Sequence, residues 1–172
     1  MPLHPGPLVV DTNVIIECHR TASWRALTRR YPTETVAVCV EETQTGFQMR
    51  RPEQRIDQGE LRQSLAAIHP VSDLDLARAI AREPRIGALD PGEKNLWAHA
   101  LTRSDTWILC GPDVASLRIG VALGLRDRMV ALEHLLDDIG HRPNPALRLN
   151  YTQAWLSDKL STLVLSELGS RR

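Results

Sequence analysis

The chain has 172 residues, a length that fits one domain with a single core, because chains usually divide into units of roughly 100 to 200 residues. Apolar residues make up 42% and charged residues 24%, and no uncharged apolar stretch approaches the roughly 18 residues of a membrane span, so the composition reads as a soluble globular protein. The 21 basic and 21 acidic residues cancel, which excludes bulk electrostatic attraction to nucleic acid and confines any such binding to a local patch.

The amino-terminal Met-Pro-Leu-His-Pro-Gly-Pro lacks the basic and apolar regions of a secretory signal, so a cytoplasmic protein is expected. Leu8 to Val10 is a short apolar run that predicts a buried first strand, and Asp11-Thr12-Asn13 follows it. Between His19 and Tyr31 stand Arg20, Arg25, Arg29 and Arg30 with no acid among them and Trp24 in their midst. That is either a phosphate-contacting patch with a stacking ring or a solvated helix face. The β-branched run from Thr35 to Val40 predicts a second strand, followed by Glu41 and Glu42. The polar segment from Gly46 to Gly59, with Arg50, Arg51, Pro52 and Arg55, reads as a loop or an irregular helix.

Ile68 to Val71 is a weaker strand, and Ser72 then opens a helix over Asp73 to Glu83. Asp90-Pro91-Gly92-Glu93 places an acid at a helix cap, proline at the first helical position and glutamate at the third, opening a helix to Arg103. Thr106 to Cys110 predicts a third clear strand, with Gly111-Pro112-Asp113 after it and a helix from Asp113 to Leu123 closed by Gly124. Met129 to Leu132 predicts a fourth strand, and Glu133 to Ile139 a helix closed by Gly140. Past Pro143-Asn144-Pro145, residues Tyr151 to Leu168 carry a helical stripe of Leu156, Leu160, Leu163 and Val164, an added helix that packs on the domain or on a partner. The alternation predicts an α/β fold with a central parallel sheet flanked by helices, a main domain over residues 1–142 and a helical extension over 143–172.

Ligands of open parallel sheets bind beyond the carboxyl ends of the strands. Three predicted strands end in an acid, and Asp90 and Glu93 open the helix before the third of them. Carboxylates brought together raise one another's pKa, and a divalent cation removes the conflict. All-oxygen ligands favour magnesium or manganese, which polarise phosphoryl oxygens and activate water for phosphodiester hydrolysis. Each acid also has a plain role, since Asp11, Asp90 and Asp113 stand where helix caps are expected and helix dipoles favour anions. Cys18, Cys39 and Cys110 read as buried thiols. The six histidines show no ligand spacing, with His19 and His99 the two of interest. Gly87 to Lys94 misses a phosphate-binding loop, because Glu93 intrudes before the lysine and no hydroxyl residue follows it.

These residues resemble those of the PIN-domain nucleases, and most closely the VapC-type toxins of bacterial toxin–antitoxin pairs, from about Leu8 to Ile139. Val9-Val10-Asp11-Thr12-Asn13 is similar to the family's first strand and leading aspartate. Val40-Glu41-Glu42-Thr43-Gln44-Thr45-Gly46 is similar to its acid with glycine four residues later, which selects Glu42. Leu89-Asp90-Pro91-Gly92-Glu93 resembles the variant in which a Gly-Glu pair supplies the third acid, and Ile108 to Asp113 the segment bearing the fourth. The resemblance implies a PIN-like, Rossmann-like fold and a magnesium- or manganese-dependent endoribonuclease. Asp11, Glu42, Glu93 and Asp113 would hold the metal and carry catalysis, with Asn13 and Asp90 in supporting places, and the products would have a 5′ phosphate. It also implies RNA as substrate and an antitoxin protein as partner; self-association is expected besides, and the arginine-rich segment offers Trp24, Arg25 and Arg29 as candidate RNA contacts. The alternative is a PIN-fold module without activity that binds RNA or protein, and a third reading assigns the acids to small phosphoesters. The sequence departs from the family at Cys110-Gly111-Pro112, where a Ser, Thr or Asn often precedes the fourth acid, and in its added C-terminal helix.

Overall fold

The computed structural model describes residues 4–45 and 55–170. Strands β1 (Leu8–Val10), β2 (Thr33–Val36), β3 (Ala67–His69) and β4 (Ile108–Cys110) form one parallel sheet in the order β3-β2-β1-β4. Helices α1 (Thr12–Arg20), α2 (Trp24–Arg30), α3 (Ala37–Gln44), α4 (Gln58–Ser64), α5 (Asp73–Arg82), α6 (Pro91–Ala100), α7 (Val114–Ala122), α8 (Leu132–Asp138) and α9 (Gln153–Ser170) surround it. The α/β class, the parallel sheet flanked by helices and the added C-terminal helix are all observed, in an arrangement consistent with a PIN-like, Rossmann-like fold.

The strands are short; the central β1 and its neighbour β4 are buried throughout, as strands of a parallel sheet covered by helices are, while the edge strand β3 is half-buried. Leu8 and Val10 with Ile108 and Cys110 face one core beside α1, α2 and α8, and Val9, Val36 and Leu109 face a second beneath α5, α6, α7 and α9. The alternation follows from successive side chains of a strand pointing to opposite faces. Ser72 caps α5 by accepting from the Asp75 N–H at 3.1 Å. Gly124 and Gly140 adopt positive φ, 71° and 68°, and close α7 and α8 in the left-handed conformation that glycine adopts at least cost. The added helix α9 packs on α7 and α8 through Leu156 and Leu163, while Leu165 and Leu168 stay exposed.

Two strand predictions need correction. The run Thr35–Val40 is divided: β2 ends at Val36, and Ala37 to Val40 is the first turn of α3. Cys39, Val40 and Thr43 are its buried residues, a spacing that suits a helix wedged against the sheet, so tertiary packing overrides the β preference of valine. Met129 to Leu132 is a single parallel bridge, Leu109↔Met129, before α8 begins at Leu132. Residues 46–54 of the polar segment after α3 lie outside the described residues, and Asp57 caps α4 beyond them.

Glu17 of α1 is fully buried and holds the chain's return path in place. It takes a two-pronged bond from Arg20 (2.8 and 2.6 Å) and accepts the Arg148 N–H at 2.8 Å, while Arg20 also reaches the Ala146 carbonyl. These partners keep the Glu17 carboxyl below its ordinary range against the opposing effect of burial. Glu17→Ala strands a guanidinium and an amide, and should cost about 3 kcal/mol in urea unfolding.

Candidate metal centre

The strand order reverses beside β1: the chain moves from β1 to β2 and β3 on one side and returns to β4 on the other. Such a switch point opens a crevice beyond the carboxyl ends of the central strands. Asp11 follows β1 and Asp113 follows β4, so they stand on the two sides of that crevice. Each is also a helix cap. Asp11 accepts the Val14 N–H at 2.8 Å at the start of α1, and Asp113 accepts those of Ala115 and Ser116 at 2.7 and 3.3 Å at the start of α7.

Asp90 caps α6, accepting the Glu93 N–H at 3.1 Å. The reciprocal half of the expected capping box is not made: Glu93 is turned inward, 7% exposed, and its Oε1 has no hydrogen-bond partner among the described residues. Glu42 is not at a strand end, as its sequence context suggested, but on the last turn of α3. Its carboxylate reaches the amino end of α6, accepting the Gly92 N–H at 2.9 Å and the Thr12 hydroxyl at 2.5 Å. Three helix amino termini therefore converge on the five acids, and their dipoles offset part of the negative charge.

The electrostatics are graded. Asp11, 4% exposed, is pushed up to about 7, chiefly by burial and then by Asp90, Asp113 and Glu42, against the Val14 bond. Glu93 is pushed up to about 8, again by burial first and then by Asp113, Asp90, Asp11 and Glu42. Asp90 and Asp113 stay exposed at the rim. A buried carboxylate oxygen without a donor, among four other acids, fits a hard divalent cation, which supplies what no hydrogen bond does.

Gly92 leaves room for the Glu42 carboxylate. A Cβ there would run into the Glu42 carboxylate, whose flexible side chain can swing away with little loss of stability. Gly92→Ala should thus cost ten- to a hundredfold in any activity of the acids while changing the melting temperature little, a split that assay and thermal melt together would read. Gly111, in the Cys110-Gly111-Pro112 departure, lies against Asp11, so the positions before Asp113 supply closeness rather than a hydroxyl donor.

The remaining sequence expectations fare unevenly. The Asn13 side chain is exposed and makes no hydrogen bond to Asp11, which is oriented by the Val14 amide instead. Trp24 is 7% exposed, its indole N–H donates to Ser64 at 2.8 Å and its ring stacks on His19 at 5.3 Å. It is a core residue, and the expected base-stacking face is closed; Arg25 and Arg29 are exposed. Gly46 of the Glu42 motif lies outside the described residues. Thr12 and Gly92, the two donors to Glu42, lie thirty and fifty residues from it in the chain, so no local pattern marks them for that role.

Among the described residues, one group of three side chains brings its ligand atoms within 4.8 Å of one another, and it is Glu34, His69 and His99, not the acids. This group can hold a metal ion. Burial, together with His69 and Arg103, pushes His99 down to about 4, so its ring is neutral at physiological pH. Its histidines sit on β3 and α6, thirty residues apart, which hid the pair from any search for local ligand spacing. No family model matches the chain, and no curated protein matches it significantly.

Proposed function

We propose that the chain is a metal-dependent endoribonuclease whose site is the acid cluster at the β1–β4 switch point. One observation carries this reading: five carboxylates converge where an open parallel sheet binds ligands, two of them buried with raised pKa, and a Glu93 oxygen has no donor among the described residues. Asp11, Glu42, Glu93 and Asp113 would hold magnesium or manganese. Such an ion, when bound, supplies positive charge to a phosphoryl oxygen and makes hydroxide available near neutral pH.

The protein's own groups do the rest. Thr12 and the Gly92 amide fix Glu42 from two sides, so its carboxylate is set before any ligand arrives. Asp113 and Asp90, exposed at the rim, keep the cluster open to a polymer backbone, while buried Asp11 and Glu93 form its floor. Arg25 and Arg29 are exposed cations suited to phosphate contact. The resemblance extends the proposal to a toxin held silent by a protein partner.

The alternative, a module that binds RNA or protein without cutting, is favoured by the spacing of the acids, no three of which gather as tightly as Glu34, His69 and His99. The experiment that decides is cleavage of a mixed single-stranded RNA with manganese, with EDTA and with Glu42→Gln protein. Metal-dependent cutting to 5′ phosphates, lost in the variant, supports the nuclease. Folded, metal-saturated protein that cuts no RNA sinks it. In the same preparation Arg25→Ala with Arg29→Ala should weaken RNA binding and flatten its salt dependence.

A further inference from the structure

On the face of the sheet covered by α5 and α6, near the β3 edge, Glu34 of β2, His69 of β3 and His99 of α6 meet, apart from the five acids. We infer that these three residues form a second cation site, suited to a borderline transition metal such as zinc, with the Arg103 guanidinium standing in for the ion in the metal-free protein. The inference stands whether or not the acids cut RNA.

The ligand chemistry sets the class of ion. Two imidazoles and one carboxylate are a donor set that zinc accepts readily and leaves a position open, whereas magnesium prefers oxygen alone. The hydrogen bonds locate the cation. Arg103 Nη1 donates both to Glu34 Oε2 at 2.5 Å and to His99 Nε2 at 3.1 Å, so one charged N–H group lies between two of the three ligand atoms. A guanidinium has no lone pair to offer, so His99 must present the lone pair of Nε2 to that place. His69 Nε2 bonds the same Glu34 oxygen at 2.8 Å, and the two rings stack at 4.0 Å and 18°, which sets their nitrogen-bearing edges side by side. Coordination through His69 Nε2 would move that ring's proton to Nδ1.

Arg103 can yield its place without being set adrift. Its Nε and Nη2 grip Asp105 at 2.8 and 2.6 Å, and Nη1 alone enters the group. Because a guanidinium is rigid and planar, a metal that takes the Nη1 position moves the Arg103 head outward together with the exposed Asp105 it grips, and ties β2, β3 and α6 through coordinate bonds in place of an ion pair.

The test is titration calorimetry with zinc in excess magnesium, on wild type, His69→Ala, His99→Ala and Arg103→Met. One equivalent of zinc should bind wild type, and either histidine replacement should weaken it at least tenfold. Arg103→Met should bind zinc more tightly than wild type, melt lower without zinc and recover with it, a gain that misfolding cannot produce. A zinc isotherm unchanged by both histidine replacements, or no tightening in Arg103→Met, overturns the site and leaves a closed ion-pair network.

Discussion

Asp11→Asn should abolish RNA cleavage, by on the order of 10³-fold or more, and at pH 8 should melt higher than wild type in EDTA. The two effects have one cause. Asp11 is buried among four other acids, and its ionised form is disfavoured until something positive arrives. The amide is nearly the same shape, and its oxygen can still accept the Val14 N–H, so the cap of α1 survives. What is lost is the charge: the site loses a ligand and the fold loses a source of repulsion. Asp11→Ala separates less cleanly, because it also removes the cap at a cost of about 1 kcal/mol. Activity assays beside thermal melts check the pair of outcomes, and a variant that cuts RNA normally would remove Asp11 from the chemistry.

The metal-free protein should lose stability as pH rises, and manganese should return it. Burial lifts Asp11 from 3.8 to about 7 and Glu93 from 4.5 to about 8. Both folded values are raised, so the native state binds protons more tightly than the unfolded chain. This contribution is fully present below about pH 4 and is lost as pH climbs through 7 to 8. A tenfold difference in proton affinity is worth about 1.4 kcal/mol, so between pH 5.5 and the two folded values the pair loses roughly 5 kcal/mol, or on the order of 10–20 °C in melting temperature. Melts in EDTA at pH 5.5 and 8.5 should show that fall, with manganese raising the value at pH 8.5 far more than at pH 5.5. Asp11→Asn should flatten the EDTA profile. A wild-type melting temperature in EDTA that does not change over this range contradicts the burial argument.

The helix boundaries with chemical punctuation were the readable part of the fold. Ser72, Pro91, Gly124 and Gly140 mark their helix ends through local bonding, which one stretch of sequence contains. Residues 37 to 40 misled because their conformation is decided by two cores that press on α3 from distant parts of the chain. The site divides along the same line. Asp11 is legible because it directly follows a strand, Asp113 because it follows one after Gly111-Pro112, and Asp90 because its cap is local. The position of Glu42 on α3, the burial of Trp24 and the meeting of His69 with His99 depend on pairings between remote elements. No periodicity reports those pairings.

The strand order also dictates when the acid site can exist. β1 lies between β2 and β4, and its partner on the Asp113 side is a hundred residues later in the chain, with Leu8 beside Ile108. During synthesis the first acid emerges early, but the opposite wall of its crevice is absent until β4 and the cap of α7 have cleared the ribosome. Parallel pairing across so long a loop forms late. The two walls of the acid crevice therefore cannot meet in a nascent chain until the segment through Asp113 has been made, and before then Asp11 stands without its opposite acid.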